Sequence, residues 1–362
     1  MTIRIFNPEH DIALAHNKKQ FTAPHAGRQL HADLDFLPAL YSDDGDIVIV
    51  GNVERAQRAY EHILGMLSLP RHNVQFVATD DKCALRSLLH QSGQDKVSFQ
   101  PWGIDAAIVG DMQRMGFTTE YDDSQLDAIR RISSRQWCAA HLQTDVDFVT
   151  DASHAMAMIS ERQRCVIKSP WSSTGRGVRY IEMGDNASAT YIQQVERWVH
   201  NVISQQQGIV IEPFYNKVLD FGLEYMVHAG GRVEYVGLSL FHTVKGAYTG
   251  NILASEHDKQ QLLARYLPVD EQLKVSQNLG QKLENTLAGE YKGPLGIDCM
   301  MVSDGDNLHV AIAELNLRNT MGHVALALSP QNSQPSRLMR IEYDGSHYHL
   351  RINDSALFVE KE

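Results

Sequence analysis

The first 125 residues alternate short apolar runs with segments in which apolar residues recur at helical spacing. The apolar runs predict four buried strands, at 3–6, 46–52, 73–80 and 97–103. The segments between them predict helices, at 54–67, 81–93 and 106–116. Strands separated by helices usually pair in parallel through right-handed crossovers. We therefore predict an N-terminal α/β domain with a parallel sheet.

A polar stretch at 118–125 ends this alternation, and the rest of the chain has an α+β pattern. Three longer helices are predicted there, at 126–142, 188–204 and 270–289. The dipeptide Gly230-Gly231 joins two long strand-like runs and is typical of a tight hairpin turn. Two further hairpins are predicted, one turning at 304–306 and one covering 337–353. The second half is therefore predicted to be largely antiparallel.

Composition narrows the class of protein. Hydrophobic residues make up 43% of the 362 residues and charged residues 21%, which is typical of a globular chain. The net charge of -11 and the lack of any Lys/Arg run argue against nucleic-acid binding. The four cysteines form no CxxC pair, so neither a disulfide framework nor structural zinc is expected. No secretory signal and no long apolar run is evident, which predicts a cytoplasmic protein outside the membrane.

Lys168 closes a short apolar strand, and a loop rich in small residues follows it. Small residues let backbone N–H groups approach phosphate oxygens, hydroxyl groups add donors, and the lysine adds positive charge. The predicted phosphate-contacting loop residues are Ser172, Ser173, Thr174, Gly175 and Gly177. The chain has neither GxxxxGK[ST] nor GxGxxG, so this is not a P-loop or a dinucleotide fingerprint. A surface turn with a solvated lysine explains the same residues equally well.

Asp298, Glu314 and Asn316 lie on the two arms of the predicted hairpin near residue 305. Glu314 and Asn316 are two residues apart, so a strand points both side chains to one face. With the turn at 305, Asp298 is expected to lie opposite residue 312 and to share that face. Three such oxygen ligands suit Mg²⁺. The alternative is a solvated polar face, but the apolar residues around Glu314 favour the metal because buried carboxylates need a partner.

A strand that ends at Glu212 is followed by Pro213, Phe214 and Tyr215, and Asp220 comes in the next strand. Proline interrupts a β-ladder, so the backbone groups of Phe214 and Tyr215 become available to a ligand. Such a hinge can hydrogen-bond the edge of an adenine, with a carboxylate on the ribose. A simple connection between strands is the alternative interpretation.

Together and in this order, IKSPWSSTGRGV, IEPFYNKVLDFG, GIDCMM and AELNLRNTMG resemble the ATP-grasp superfamily, which includes D-alanine–D-alanine ligase, biotin carboxylase and glutathione synthetase. The resemblance covers roughly residues 126–330. It implies an α/β, Rossmann-like pre-ATP-grasp domain, followed by an α+β ATP-grasp domain of two subdomains. The implied units are 1–125, the small subdomain with the phosphate loop at 126–207, the large subdomain with the metal site at 208–335, and a packed C-terminal hairpin at 336–362.

The resemblance also implies how ATP is held. Lys168 and the loop at 172–177 would contact the phosphates. Arg135 stands where many members carry a lysine that reaches the phosphates, and Lys245 is a further candidate contact.

At the other end of the nucleotide, Glu212 resembles the carboxylate near the adenine amino group. Phe214 and Tyr215 would offer backbone to the adenine, and Asp220 would bind the ribose. The three side chains of the hairpin would be the ligands of Mg²⁺ or Mn²⁺.

Two features depart from the family pattern. Many members place an arginine two residues before the metal aspartate, and this chain has Gly296 there. Arg318 is our candidate for the arginine that stabilises the reacting carboxylate, although a surface ion pair is the commoner fate of an arginine. Arg176, in the flexible loop, is the other candidate. Lys168, Arg176 and Arg318 are thus the predicted catalytic residues.

The second departure is the N-terminal segment NPEHDIALA, which matches no substrate motif that we can identify. Asn7, Glu9, His10 and Asp11 follow the first strand, whose end often faces a cleft in α/β domains. They also fit the start of a helix with Asn7 as the N-cap and Pro8 at the first position. We favour the capping interpretation over substrate contact.

These features predict a magnesium-dependent ligase that converts a small carboxylate to an acyl phosphate with ATP and joins it to an amine or a thiol. The alternatives are an ATP-grasp kinase that phosphorylates a hydroxyl, and a non-catalytic nucleotide-binding protein. The expected partners are a small-molecule carboxylate and an amine, with no nucleic acid and no membrane. The resemblance also allows a homodimer.

Overall fold

Four parallel strands form the first sheet, in the spatial order β3-β2-β1-β4. The structure is a computed structural model, and it describes residues 1–81, 83–87, 98–172, 177–184, 187–244, 247–305 and 307–354. The strands of the first sheet are β1 (Thr2–Ile5), β2 (Ile47–Val50), β3 (Gln75–Ala78) and β4 (Ser98–Pro101). All four were predicted from their apolar runs, and the parallel α/β arrangement is confirmed.

Helices alternate with the strands of this sheet along the chain. They are α1 (His10–His16), α2 (His25–Leu34), α3 (Val53–Leu67) and α4 (Ala106–Met115), with a 3₁₀ helix at Leu37–Tyr41. The Asn52 side chain caps α3 and the Asp105 side chain caps α4, each by accepting hydrogen bonds from the first turn. The helix predicted at 81–93 lies partly outside the described residues.

A break separates the two helices that follow. The sequence predicted one helix over 126–142, and this was wrong: α5 (Asp123–Ile132) and α6 (Arg135–His141) are distinct. Ser134 causes the break, because its hydroxyl accepts from the backbone N–H of Trp137 at 3.2 Å and so starts a new helix. The restart places Arg135 at the first position of α6.

A second sheet has four antiparallel strands in the order β5-β8-β6-β7. The strands are β5 (Asp147–Val149), β6 (Arg164–Lys168), β7 (Val178–Glu182) and β8 (Ile209–Pro213). Helices α7 (Ala152–Arg162) and α8 (Ala189–Gln206) pack on it around a separate hydrophobic cluster that includes Ile159, Ile167 and Val199. This sheet, which we call the small sheet, carries Lys168 and Glu212.

The third sheet, the large sheet, has seven antiparallel strands in the order β13-β12-β9-β10-β11-β14-β15. Its strands are β9 (Lys217–Val227), β10 (Val233–Val244), β11 (Ala247–Leu253), β12 (Gly293–Asp304), β13 (Asn307–Asn316), β14 (Arg337–Tyr343) and β15 (Tyr348–Asp354). Gly230 and Gly231 turn the β9–β10 hairpin with φ values of 88° and 87°, which favour glycine. The C-terminal hairpin extends this sheet through β11.

Three helices lie against the large sheet: α9 (Glu256–Leu263), α10 (Val269–Leu287) and α11 (Met321–Leu328). Helix α10 packs on β10, and the Tyr225 hydroxyl donates to the carbonyl of Ser276 in α10 at 2.9 Å. Helix α11 contacts β10, β11 and the 3₁₀ helix of the N-terminal region. Among the described residues, no helix has the length and apolar character needed to span a bilayer.

Helix α10 provides a test of this packing. Leu283 is 0% exposed and Leu273, on the same helix, is 44% exposed. We expect Leu283→Ala to lower the free energy of unfolding by about 2–5 kcal/mol, because it leaves a cavity in the core. Leu273→Ala should change it by about 0.5 kcal/mol or less. Urea unfolding measures both, and equal losses would contradict the placement of α10.

Candidate active site

The β12–β13 hairpin brings Asp298 and Glu314 directly opposite each other. The sequence-based expectation that Asp298 faces residue 312 was wrong, because a β-bulge follows Asp298 in this ladder. Cys299 pairs with Ile312, and Ala313 is the extra residue. The bulge therefore aligns the two carboxylates on one face of the hairpin.

Asn316 joins this pair, since its amide Nδ2 donates to Asp298 Oδ2 at 3.1 Å. Burial, and then the neighbouring carboxylate of Glu314, raise the pKa of Asp298 to about 7. The described part of the chain holds no cluster of three or more His, Cys, Asp or Glu side chains suited to a metal, so a metal set here depends on the Asn316 amide. Two carboxylates that repel each other and an amide oxygen fit the hard-oxygen preference of Mg²⁺.

Two buried cations from other elements reach this hairpin. Lys168 Nζ lies 2.6 Å from Glu212 Oε1 and donates to the carbonyl of Ala313 at 3.2 Å. Arg135 Nη2 lies 2.7 Å from Glu314 Oε1. The cations predicted to contact phosphate and the side chains predicted to bind metal therefore lie together, although they come from different sheets and helices.

The same arginine holds the stem of the loop after β6. Arg135 Nη1 donates to the carbonyl of Ser169 and to Ser172 Oγ, both at 2.7 Å. At the other side of the stem, the carbonyl of Gly177 accepts from the Ser169 N–H at 2.8 Å. A Cβ at Gly177 would lie 2.0 Å from Ser169 Oγ, so only glycine fits. The other predicted loop residues and Lys245 lie outside the described residues: Ser173, Thr174, Gly175, Arg176 and Lys245.

The end of β8 contains the predicted adenine hinge. Glu212 is buried, and its Oε2 has no hydrogen-bond partner within the described chain, whereas Oε1 pairs with Lys168. An orphaned buried oxygen is costly unless a ligand donates to it. Phe214 packs edge-on against Tyr180 with centroids 5.9 Å apart. The carbonyl of Tyr215 accepts from the backbone N–H two residues later at 3.0 Å.

Asp220 lies on β9, on the same face of the large sheet as Asp298. Its Oδ2 lies 2.5 Å from Lys217 Nζ and accepts from Thr243 Oγ1 at 2.6 Å. Both contacts use Oδ2. A ribose hydroxyl would therefore meet a carboxylate that is already fixed in position.

Glu224 was missed in the sequence. It is 2% exposed on β9 and faces the same side as Asp298, between residues that point into the core. Ser239 Oγ donates to its Oε1 at 2.8 Å, and Thr320 Oγ1 donates to its Oε2 at 2.9 Å. His323 Nδ1 lies 3.1 Å from Oε2. The available signal was its spacing, since it lies four residues after Asp220 on one strand face.

Glycines make room for this carboxylate. An added Cβ would lie 1.8 Å from Glu224 Oε1 at Gly322 and 2.5 Å from Oε2 at Gly296. Gly296 therefore leaves room for the Glu224 carboxylate beside the backbone of β12.

Arg318 is not a surface ion pair. Its Nη2 donates to Asn316 Oδ1 at 2.9 Å, and its Nε and Nη2 donate to the two oxygens of Asp11 at 3.3 and 3.1 Å. The capping interpretation of Asn7 was wrong, because α1 begins at His10 with Glu9 as its N-cap residue. The Asn7 side-chain amide instead hydrogen-bonds to the backbone of Gly103, which follows β4.

Comparison with known proteins was made on sequence and on structure. No protein-family model and no curated protein matches the sequence. Among solved structures, N5-carboxyaminoimidazole synthetase from Staphylococcus aureus with ADP matches 99% of this chain and 94% of its own, at 11% identity and a TM-score of 0.51. The chain has the ATP-grasp fold.

Two further structures agree with this fold. An N5-carboxyaminoimidazole ribonucleotide synthetase in complex with ADP matches 99% of this chain and 93% of its own, at 12% identity and a TM-score of 0.51. Biotin carboxylase from Campylobacter jejuni matches 94% of this chain and 75% of its own, at 11% identity and a TM-score of 0.50. The ATP-grasp fold predicted from the ordered segments is thus confirmed.

Glu224 generates a prediction for the metal-free protein. Burial raises the pKa of Glu224 to about 7 from an ordinary value of 4.5. Between these values the folded protein holds a proton that the unfolded chain has lost, so stability falls as pH rises. The unfolding free energy of Glu224→Gln should therefore decrease by about 3 kcal/mol less than that of the wild type as pH rises, at about 1.4 kcal/mol per pKa unit.

The measurement is the free energy of urea unfolding from pH 4.5 to 8 in EDTA. Glu196, which is exposed on α8, provides the control substitution Glu196→Gln, and this variant should follow the wild-type curve. A Glu224→Gln variant with the wild-type pH dependence would contradict the burial of that carboxylate.

Proposed function

We propose that this protein is an ATP-dependent ligase that activates a small carboxylate as an acyl phosphate and joins it to an amine or a thiol. One observation carries the proposal. Two cations contact the β12–β13 hairpin of the large sheet. Lys168 of the small sheet contacts it at Ala313, and Arg135 of α6 contacts it at Glu314. A site that combines buried cations with clustered carboxylates suits a nucleoside triphosphate and its metal ion.

In this proposal the adenine lies at the end of β8. The free Glu212 Oε2 would accept a hydrogen bond from the adenine amino group. The backbone of Phe214 and Tyr215 would contact the ring edge, and Asp220 would hold the ribose. The ADP in the two synthetase structures described above supports this assignment, as does the β,γ-ATP complex of the Campylobacter jejuni biotin carboxylase.

The phosphates would lie against Lys168, Arg135 and the loop at 172–177. Ser172 and Gly177 flank that loop, and Ser173, Thr174 and Gly175 would offer backbone N–H groups from within it. Lys245 is proposed as a further contact. Lys168 and Arg135 are buried, so they neutralise charge more strongly than they would in water.

Asp298, Glu314 and Asn316 would hold Mg²⁺, with Mn²⁺ as a substitute. The Asn316 oxygen has two lone pairs, of which Arg318 uses one, so it can still act as a ligand. When bound, the ion would supply positive charge to the phosphate oxygens and relieve the repulsion between the two carboxylates.

The chemistry needs positioning and charge rather than a covalent catalyst. A substrate carboxylate oxygen would bond to the γ-phosphorus as the bond to ADP breaks. Lys168 and Arg135 oppose the negative charge that develops, and Arg318 or Arg176 would face the carboxylate. The amine would then attack the acyl carbon and release phosphate, while the loop keeps water out. A cytoplasmic location and a homodimer belong to the same proposal.

Trapping the intermediate tests the reaction class. The protein is incubated with Mg²⁺, ATP and hydroxylamine, together with pools of amino acids and small carboxylates. Hydroxamate formation matched by ADP formation is expected, because hydroxylamine intercepts an acyl phosphate. ADP formation that instead depends on an alcohol and yields no hydroxamate would establish a kinase and overturn the proposal.

Glu314→Gln tests the site itself. The substitution keeps the size of the side chain and removes the charge, so we expect ADP formation to fall by about 100-fold or more. The matched control is Glu182→Gln, which alters an exposed strand carboxylate 3.3 Å from Arg164. The control should keep wild-type turnover. Circular dichroism and the thermal midpoint check the fold, and normal turnover by folded Glu314→Gln would exclude the assigned metal site.

A further inference from the structure

The segment at 7–11, which follows β1, reaches the β12–β13 hairpin through one ion pair, between Asp11 and Arg318. Asp11 binds Arg318 with both carboxylate oxygens, and Arg318 in turn binds the oxygen of Asn316. Asn316 then donates to Asp298. A continuous chain of hydrogen bonds therefore runs from α1 of the first sheet to the proposed metal ligands of the large sheet.

Asn7 and His10 contact the segment at 103–105, and these contacts, which we call the clamp, fix the start of α1. Asn7 Nδ2 donates to the carbonyl of Gly103 at 2.8 Å, and Asn7 Oδ1 accepts from the Gly103 N–H at 3.1 Å. His10 Nδ1 lies 3.0 Å from Asp105 Oδ2, and both side chains are buried. A Cβ at Gly103 would lie 2.5 Å from the His10 ring, so glycine is required there. The clamp leaves α1, and with it Asp11, little freedom to move.

The clamp also touches Arg318 directly, because Gly103 forms an isolated β-bridge with it. The backbone that Asn7 holds is thus the same backbone that pairs with the arginine. Asp11 and Arg318 are therefore held from two sides, through the side-chain ion pair and through the bridge.

The guanidinium of Arg318 has little capacity left. A guanidinium carries five N–H donors. Two point at Asp11, one at Asn316 and one at the carbonyl of Asn319. Asp11 accounts for the two parallel bonds, which give the strongest orientation to an arginine. The pair is largely shielded, with side-chain exposures of 19% and 20%, so solvent screens it weakly.

We propose that Asp11 is a positioning residue of the metal site: it holds Arg318, and Arg318 holds the Asn316 oxygen through Nη2, which fixes this side chain beside Asp298. This inference rests on the proposed function, since it needs Asn316 to be a metal ligand. The N-terminal sheet then helps to build the metal site. A structural clip between two parts of the chain is the competing explanation, and it predicts a loss of stability alone.

Metal affinity separates the two explanations. Purified full-length protein is titrated with Mn²⁺ at saturating ADP, and free Mn²⁺ is measured by electron paramagnetic resonance. Asp11→Asn keeps the shape of the side chain but removes its charge. We expect Mn²⁺ to bind about 10–100-fold more weakly, the usual effect of losing a group that orients a metal ligand.

The chain offers a matched control. Asp46 and Arg4 form another shielded Asp–Arg pair, at the first sheet, with Arg4 Nε 3.0 Å from Asp46 Oδ2 and side-chain exposures of 6% and 11%. Asp46→Asn should lower the thermal midpoint and leave Mn²⁺ affinity unchanged. If Asp11→Asn behaves in the same way, the clip explanation holds and the positioning role is overturned.

Two further outcomes are informative. If Asp11→Asn does not fold, Asp11→Glu is measured instead, because its added methylene displaces the guanidinium while keeping the charge. It should weaken Mn²⁺ binding several-fold, and wild-type affinity would contradict the inference. Wild-type protein that binds no Mn²⁺ with ADP would overturn the proposed function as well. Wild-type binding with an unaffected Asp11→Asn variant overturns only the positioning role.

Discussion

The structure depends on balancing the negative charge of carboxylates that lie on one face of the large sheet. Asp298, Glu314 and Glu224 lie there on neighbouring strands, and burial raises the pKa of Asp298 and of Glu224 to about 7. Carboxylates in such a place are unfavourable unless cations or hydrogen-bond donors meet them. Each of the three is met by groups from elements outside its own strand. The charge therefore constrains how the parts of the chain assemble.

The compensating groups come from separate parts of the sequence. Arg135 from α6 pairs with Glu314, and Thr320 before α11 donates to Glu224. Lys168 from the small sheet binds Glu212 and the backbone of β13. None of these elements would retain a buried charge by itself, because its partner lies on another element. The polar contacts thus tie the small sheet to the large sheet. One hydrophobic cluster packs the small sheet with its own helices, and another joins the first sheet to the large sheet.

Local patterns predicted what depends on local geometry. Periodicity identified most strands and the helices α3, α4, α8 and α10, and two-residue spacing placed Glu314 and Asn316 on one face. It did not identify α2, α7, α9 and α11. Local patterns could not predict the β-bulge at Ala313, because a bulge depends on how the strand pairs with its partner. The helix break at Ser134 was also missed, since apolar spacing continues across it and only the serine hydroxyl competes with the helix. The contact of Asn7 with Gly103 spans 96 residues, so only the sheet topology reveals it.

Gly296 shows how the buried Glu224 carboxylate limits what its neighbours on β12 can be. A Cβ at Gly296 would lie 2.5 Å from Glu224 Oε2, so a larger residue there would have to displace that carboxylate. Arg135 reaches the hairpin at Glu314, and Arg318 reaches it at Asn316. A long side chain in that place has many rotamers, and fixing one is unfavourable in entropy unless a partner orients it. Asp11 is that partner, and its own position is set by the first sheet. The ion pair with Asp11 therefore ties the position of Arg318, and through it the Asn316 amide, to the first sheet.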